Sequence, residues 1–197
     1  MALDDRSKLL KLLAKHAYDY RSEGFKLASG KVSNEYLNCK MALSHAGAMA
    51  ALGRFALPLV SPKATAVGGL TMGADPIAHS ICQTSDGGRD LRWFTVRKEP
   101  KPHGLRKLIE GDVPDGANVV VVDDVVTTGG STVDAIQKAR AERLNVVQVL
   151  VLVDREEGGL ARIRSEVGPD VEVVPMFTKS EVRHEWESQR QTLRATA

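Results

Sequence analysis

Apolar residues are patterned in two different ways along the chain. Between Leu3 and Arg21, the positions Leu9, Leu12, Leu13, His16, Ala17 and Tyr20 recur at helical spacing behind the acids Asp4 and Asp5, and Gly24 is placed to end that helix. His16, lying among these apolar positions, reads as a core histidine rather than a ligand. Phe25–Ala28 and Glu35–Cys39 form two short strand patterns around the turn Ser29-Gly30-Lys31. His45 to Leu57 is a helix rich in Ala and Gly, stopped by Pro58. From Ala64 onward, short apolar runs without polar alternation take over. Ala64–Gly69, Leu91–Val96, Val146–Val153 and Val171–Phe177 read as strands. Pro76–Thr84, Gly159–Val167 and Ser180–Gln189 read as helices between or after them.

The run Val119-Val120-Val121-Val122 is the clearest of these strands, because it leaves neither face polar and so predicts burial on both. Asp123 and Asp124 follow where the strand is expected to end, and Val125, Val126, Thr127, Thr128, Gly129, Gly130, Ser131 and Thr132 lead into a helix carrying Val133, Ile136 and Arg140. Strands alternating with helices imply an α/β fold: a mostly parallel sheet flanked by helices on both faces. No repeat, linker or low-complexity segment interrupts the chain. We therefore expect one domain over residues 1–197, with a helix and hairpin over about 1–45 and a ligand-binding core over about 64–177.

Composition adds mainly exclusions. Hydrophobic residues make up 43% and charged residues 26%, ordinary for a soluble globular chain. With 27 basic and 25 acidic residues the net charge is +2, which is no global footprint for nucleic acid. Cys39 and Cys82 share no metal-ligand spacing and read as free thiols. The N-terminus has no secretory h-region and no apolar run approaches roughly 18 residues, so a cytoplasmic protein without a membrane partner is expected.

The chemistry is concentrated in two loops. A strand that passes through a turn of small residues into a helix start aims backbone N–H groups and the positive end of the helix dipole at one point, which suits a phosphate. Two carboxylates beside that point would repel the phosphate, but they suit hydroxyls and a developing positive charge. Together these groups describe a ribose 5-phosphate reacting at its anomeric carbon. The second loop, Arg97 to Lys107, contains Pro100, Pro102 and Gly104 and so forms no regular element. It carries Arg97, Lys98, Lys101, His103, Arg106 and Lys107 against the single acid Glu99, and it leaves the strand edge where parallel sheets place their ligands. A second strand–loop–helix unit, with the loop Leu70-Thr71-Met72-Gly73-Ala74-Asp75, offers a place for a diphosphate.

The Asp123–Thr132 stretch resembles the phosphoribosyl-diphosphate (PRPP) motif of type I phosphoribosyltransferases. Arg97-Lys98-Glu99-Pro100-Lys101-Pro102-His103-Gly104 is similar to the catalytic loop of orotate phosphoribosyltransferases, and Phe25-Lys26-Leu27-Ala28-Ser29-Gly30-Lys31 to their hood over the base. The resemblance runs from about Phe25 to Phe177. It implies transfer of a phosphoribosyl group from PRPP to orotate, with Mg²⁺ held mainly by the substrate and no direct protein ligand. It implies Lys101, His103, Asp123 and Asp124 as catalytic groups. Arg97, Lys98, Lys101 and His103 would neutralise the diphosphate, the N–H groups of Thr128 to Thr132 would hold the 5-phosphate, and the whole stretch Asp123, Asp124, Val125, Val126, Thr127, Thr128, Gly129, Gly130 and Ser131 would contact PRPP. Thr127 and Arg155, the latter in the Asp154-Arg155 pair after the next strand, would address orotate. It further implies a homodimer in which the Arg97–Gly104 loop is shared between subunits. Certain orotate enzymes carry a Lys where Ala28 stands and another in the loop filled here by Leu70 to Ala74, so the resemblance assigns no basic side chain to those places. A phosphoribosyltransferase for another base, such as a purine, would share the Asp-Asp turn without the Arg97–Gly104 pattern. A non-catalytic PRPP sensor would carry a DNA-binding module or basic face, which this chain lacks.

Overall fold

The computed structural model describes residues 2–26, 32–86, 88–99 and 107–195. Helix α1 (Ala2–Ala17) leads into an antiparallel pair, β1 (Tyr18–Lys26) and β2 (Val32–Leu37). The helix thus stops short of Arg21. Tyr18 and Tyr20 instead pair across the hairpin with Leu37 and Glu35. Gly24, expected to end the helix, sits inside β1 at φ +81°, where the register shifts between Tyr20 and Phe25. Contacts from the far end of the chain decide this. The Tyr18 ring packs edge-on against Trp186 at 5.3 Å, and its hydroxyl donates to Glu35 at 2.6 Å. Lys179 holds the other Glu35 oxygen at 2.9 Å. The turn of the hood hairpin, including Ala28 and Ser29-Gly30-Lys31, lies outside the described residues.

A short helix, α2 (Cys39–Leu43), follows the hairpin where the sequence pattern predicts the tail of a strand. Then come α3 (Ala46–Ala56), β3 (Ala66–Leu70), α4 (Asp75–Ser85), β4 (Arg92–Val96), β5 (Ile109–Glu110), β6 (Asn118–Val126), α5 (Gly130–Ala141), β7 (Asn145–Asp154), α6 (Gly159–Val167), β8 (Glu172–Thr178) and α7 (Lys179–Ala195). The main sheet has the order β5-β4-β3-β6-β7-β8, parallel throughout except for β5, which pairs antiparallel with β4. The two residues of β5 have no pattern of their own; Thr95↔Glu110 and Val96↔Ile109 pairing defines them.

The Val run is buried on both faces, as its lack of alternation predicts. Val120 and Val122, with Leu150 and Leu152 of β7, pack on Leu9, Leu13, Leu52, Ile77 and Ile81 from α1, α3 and α4. Val119 and Val121, with Val149 and Val151, pack on Ile136, Ala139 and Ile163 from α5 and α6. Each fully buried Val contributes on the order of 1.5–3 kcal/mol, and this anchorage carries the acids of the same strand out of solvent. The chain order around β3 and β6 then places the site. From β3 the sheet grows outward to β4, and from β6 it grows the opposite way to β7, so α4 and α5 lie on opposite faces. The carboxyl ends of β3 and β6 form a topological switch point with a crevice between their loops.

Candidate active site

Strand β6 does not stop before its acids. It pairs with β7 through Asp123↔Val151, Val125↔Val153 and Val126↔Asp154, so both carboxylates lie within the ladder. The strand's two-residue period then turns neighbouring side chains to opposite faces. Asp123 points to α5. Its Oδ2 accepts the Ser131 hydroxyl at 3.0 Å and the Thr132 hydroxyl at 2.6 Å, and its Oδ1 accepts the Asp124 N–H at 3.0 Å. Burial raises the Asp123 pKa above the usual carboxylate value, and the Thr132 and Ser131 donors only partly oppose this. Asp124 points the other way, to α2. Its Oδ2 accepts the Lys40 ammonium at 2.8 Å and its Oδ1 the Val125 N–H at 3.0 Å. At Lys40, burial alone would lower the pKa, but the hydrogen bond and charge of Asp124 outweigh it and raise the value.

The loop after β3 closes over both acids. A Cβ on Gly73 would fall 2.5 Å from Asp124 Oδ1 and 3.4 Å from Asp123 Oδ1, so only a residue without a side chain allows this approach. The loop is held from below: the Thr71 hydroxyl donates to one Asp75 oxygen at 2.7 Å and the Thr95 hydroxyl to the other at 2.9 Å. Between this loop and the acids lies a cleft of about 410 Å³, lined by Lys40, Leu70 to Gly73, Lys98, Asp123 to Val125 and Ser131. A hollow of about 460 Å³ between Thr65 and Asn118 lies at the amino ends of β3 and β6 and contains none of these groups.

The turn after β6 has the form expected of an anion cradle. Gly129 precedes α5 at φ +75°, and a Cβ there would approach the Gly159 carbonyl to 2.7 Å. No side chain caps the helix and no acid lies in its first turn. The first bond that closes it runs from Val133 N–H to the Gly129 carbonyl at 3.0 Å, leaving the preceding N–H groups at the positive end of the dipole. Thr128 and Ser131 are exposed here and Thr127 is half-buried. Val126, the last residue of β6, has its side chain in the core under α5 and α6, and its carbonyl accepts the Arg155 N–H at 2.9 Å.

Of the basic loop, Lys98 lines the cleft. Arg97 does not; its guanidinium lies 3.5 Å from Glu110 on β5. Lys138 of α5 donates to the carbonyls of Arg97 at 3.2 Å and Lys98 at 2.7 Å, tying the loop's first residues to the cradle helix. Lys101, His103 and Gly104 lie outside the described residues. Arg155, directly after β7, is largely buried and pairs with Glu157 at 3.0 Å, while its Nε is buried without a partner. Neither Arg155 nor Thr127 is among the residues that line the cleft. His16 is half-buried, its ring 4.1 Å from that of His45 and tilted by 32°, and burial, His45 and Lys15 together lower its pKa. Lys40 is the residue that sequence reasoning missed. It reaches Asp124 from 84 positions away, and no local pattern marks it. Among the described residues no group of three His, Cys, Asp or Glu is arranged to hold a metal, and no helix is long and apolar enough to cross a membrane.

Known structures share this architecture. The orotate phosphoribosyltransferase of Mycobacterium tuberculosis superposes with a TM-score of 0.78 at 33% identity, covering 90% of this chain and 98% of that one. That of Aeropyrum pernix gives 0.72 at 31%, covering 91% and 98%. A switch-point cleft with paired acids on the central strand and an uncapped helix behind a glycine turn, on this sheet, defines a type I phosphoribosyltransferase. No family model matches the chain. Among curated relatives, the orotate phosphoribosyltransferase of Leptospira biflexa is 38% identical over 186 residues, 92% of this chain and 99% of its own length. That of Aquifex aeolicus is 40% identical over 169 residues, 84% and 92%. The chain belongs to the orotate phosphoribosyltransferase family.

Proposed function

We propose that the cleft between Gly73 and the Asp123-Asp124 pair binds PRPP and joins its ribose to orotate, yielding orotidine 5'-monophosphate and diphosphate. The observation that carries this reading is the descent of the Gly73 loop onto two carboxylates beside the uncapped start of α5. The 5-phosphate sits on the N–H groups of the Thr128–Ser131 turn. The ribose hydroxyls donate to Asp124 and to the Asp123 oxygen that takes only one backbone N–H. Asp123 also locks α5 to the strand through Ser131 and Thr132, which fixes the distance between cradle and acids. As diphosphate leaves C1', positive charge grows on the ribose and the Asp124 carboxylate stabilises it, while the orotate nitrogen attacks from the opposite face. Lys98, Lys101 and His103 neutralise the departing diphosphate. Both cleft acids already accept protein donors, Asp124 from Lys40 and Asp123 from Thr132, which favours a magnesium ion that would be held mainly by substrate oxygens and water. When bound, that ion offsets diphosphate charge. The α1 helix and hairpin act with the sheet as one domain, covering the base. We further propose a homodimer whose Arg97–Gly104 loops complete the partner's site.

Incubation with PRPP, Mg²⁺ and a panel of pyrimidine and purine bases tests the reading: product is expected with orotate, and turnover of a purine instead would overturn it. The base assignment has its own check. Arg155→Ala is expected to raise the orotate KM by about 10- to 100-fold, the worth of a charge-assisted pair of about 1.5–3 kcal/mol, and to change the PRPP KM little. Equal effects on both constants would remove Arg155 from the base site.

A further inference from the structure

Lys40 stands in the cleft yet the reaction as derived above gives it no task. Its ammonium pairs with Asp124 at 2.8 Å, and its side chain is 46% exposed against 10% for the carboxylate. The lysine is therefore the movable partner, on a flexible four-carbon stem. Its root is fixed, since Cys39 and Ala42 of α2 are fully buried. Lys40 and Lys98 are the cations among the described lining residues, and the loop Leu70-Thr71-Met72-Gly73-Ala74 brings none of its own to the place where a diphosphate would lie. Two requirements on Asp124 conflict. A buried carboxylate needs a counter-charge, but a carboxylate already neutralised by an ammonium is poorly able to stabilise a cation forming beside it.

Building on the phosphoribosyl-transfer reading, we propose that Lys40 is a transferable counter-ion. As the ribose hydroxyls take over the Asp124 oxygens, the Lys40 ammonium passes to the diphosphate oxygens of the donor. Asp124 thereby regains its uncompensated charge while the leaving group gains a cation. The exchange moves one ion pair into two substrate contacts.

A double-mutant cycle read by calorimetric binding, with Mg²⁺ present, separates a substrate contact from a merely structural pair. Wild type, Lys40→Met, Asp124→Asn and the double variant are each titrated with PRPP and with ribose 5-phosphate, which lacks the diphosphate. Lys40→Met is expected to weaken PRPP binding by about 10- to 100-fold and ribose 5-phosphate far less, and the same further loss of PRPP affinity is expected on the Asp124→Asn background. If Lys40→Met alone unfolds because it strands a buried carboxylate, the comparison of the double variant with Asp124→Asn still decides, since neither strands that charge. No further loss on the Asp124→Asn background means Lys40 acts only through Asp124 and overturns the proposal. Equal weakening of the two ligands overturns it as well. Failure of the wild type to bind PRPP would instead overturn the phosphoribosyl-transfer reading itself, and this proposal with it.

Discussion

Asp124→Asn is expected to leave the protein folded and to lower kcat by about 10²–10³-fold, roughly 2–4 kcal/mol of transition-state stabilisation. The substitution keeps the shape of the side chain, and its carbonyl oxygen still accepts the Val125 N–H that Asp124 now holds at 3.0 Å. Lys40 loses its partner, but its half-exposed ammonium remains solvated, so the fold bears little of the cost. What disappears is the negative charge beside C1'. The 5-phosphate cradle is main chain at the start of α5, so PRPP binding should fall much less than turnover. Steady-state kinetics with calorimetric binding and thermal unfolding separate these quantities. Normal turnover in a folded variant would remove Asp124 from the chemistry, and loss of folding would show that the carboxylate is a structural group.

Lys101→Ala is expected to slow turnover by a similar factor, about 10²–10³-fold, with the unfolding temperature unchanged. Lys101 itself lies outside the described residues. The expectation rests on its place in the Arg97–Gly104 pattern and on Lys98 of the same loop, which lines the cleft. If the loop serves the partner's site, two inactive variants should repair one another. Mixing Lys101→Ala with Asp124→Asn at equal amounts, with subunit exchange, makes about half the dimers mixed, and each mixed dimer holds one fully wild-type and one doubly damaged site. Roughly a quarter of wild-type activity should return. A mixture as inactive as its parents, with exchange demonstrated, would mean that each loop serves its own chain.

Local order was legible because it depends on residues close in sequence. The run Val119–Val122 announced a strand buried on both faces, and hydrophobic contacts on both sides of β6 bear this out. The helix Gly159–Val167 begins and ends where its pattern placed it, and the glycine turn into α5 was readable from Gly129 and Gly130 alone. The family, too, was written in short contiguous stretches, since a phosphate cradle and a basic loop are each made from consecutive residues.

Tertiary structure decided whatever depended on a distant partner. Helix α1 ends at Ala17 because Tyr18 finds Glu35 and Trp186, not because of any stop signal before Gly24. The two residues of β5 become a strand only by meeting β4. The ladder to β7 carries β6 past its acids, and the strand period then sends Asp123 to the helix hydroxyls and Asp124 to Lys40. By itself, the sequence determined a buried central strand, its adjacent acids and the turn behind them. Which way each acid faces, and which cation answers it across 84 positions, depended on pairing and packing between segments that carry no mark of one another in sequence.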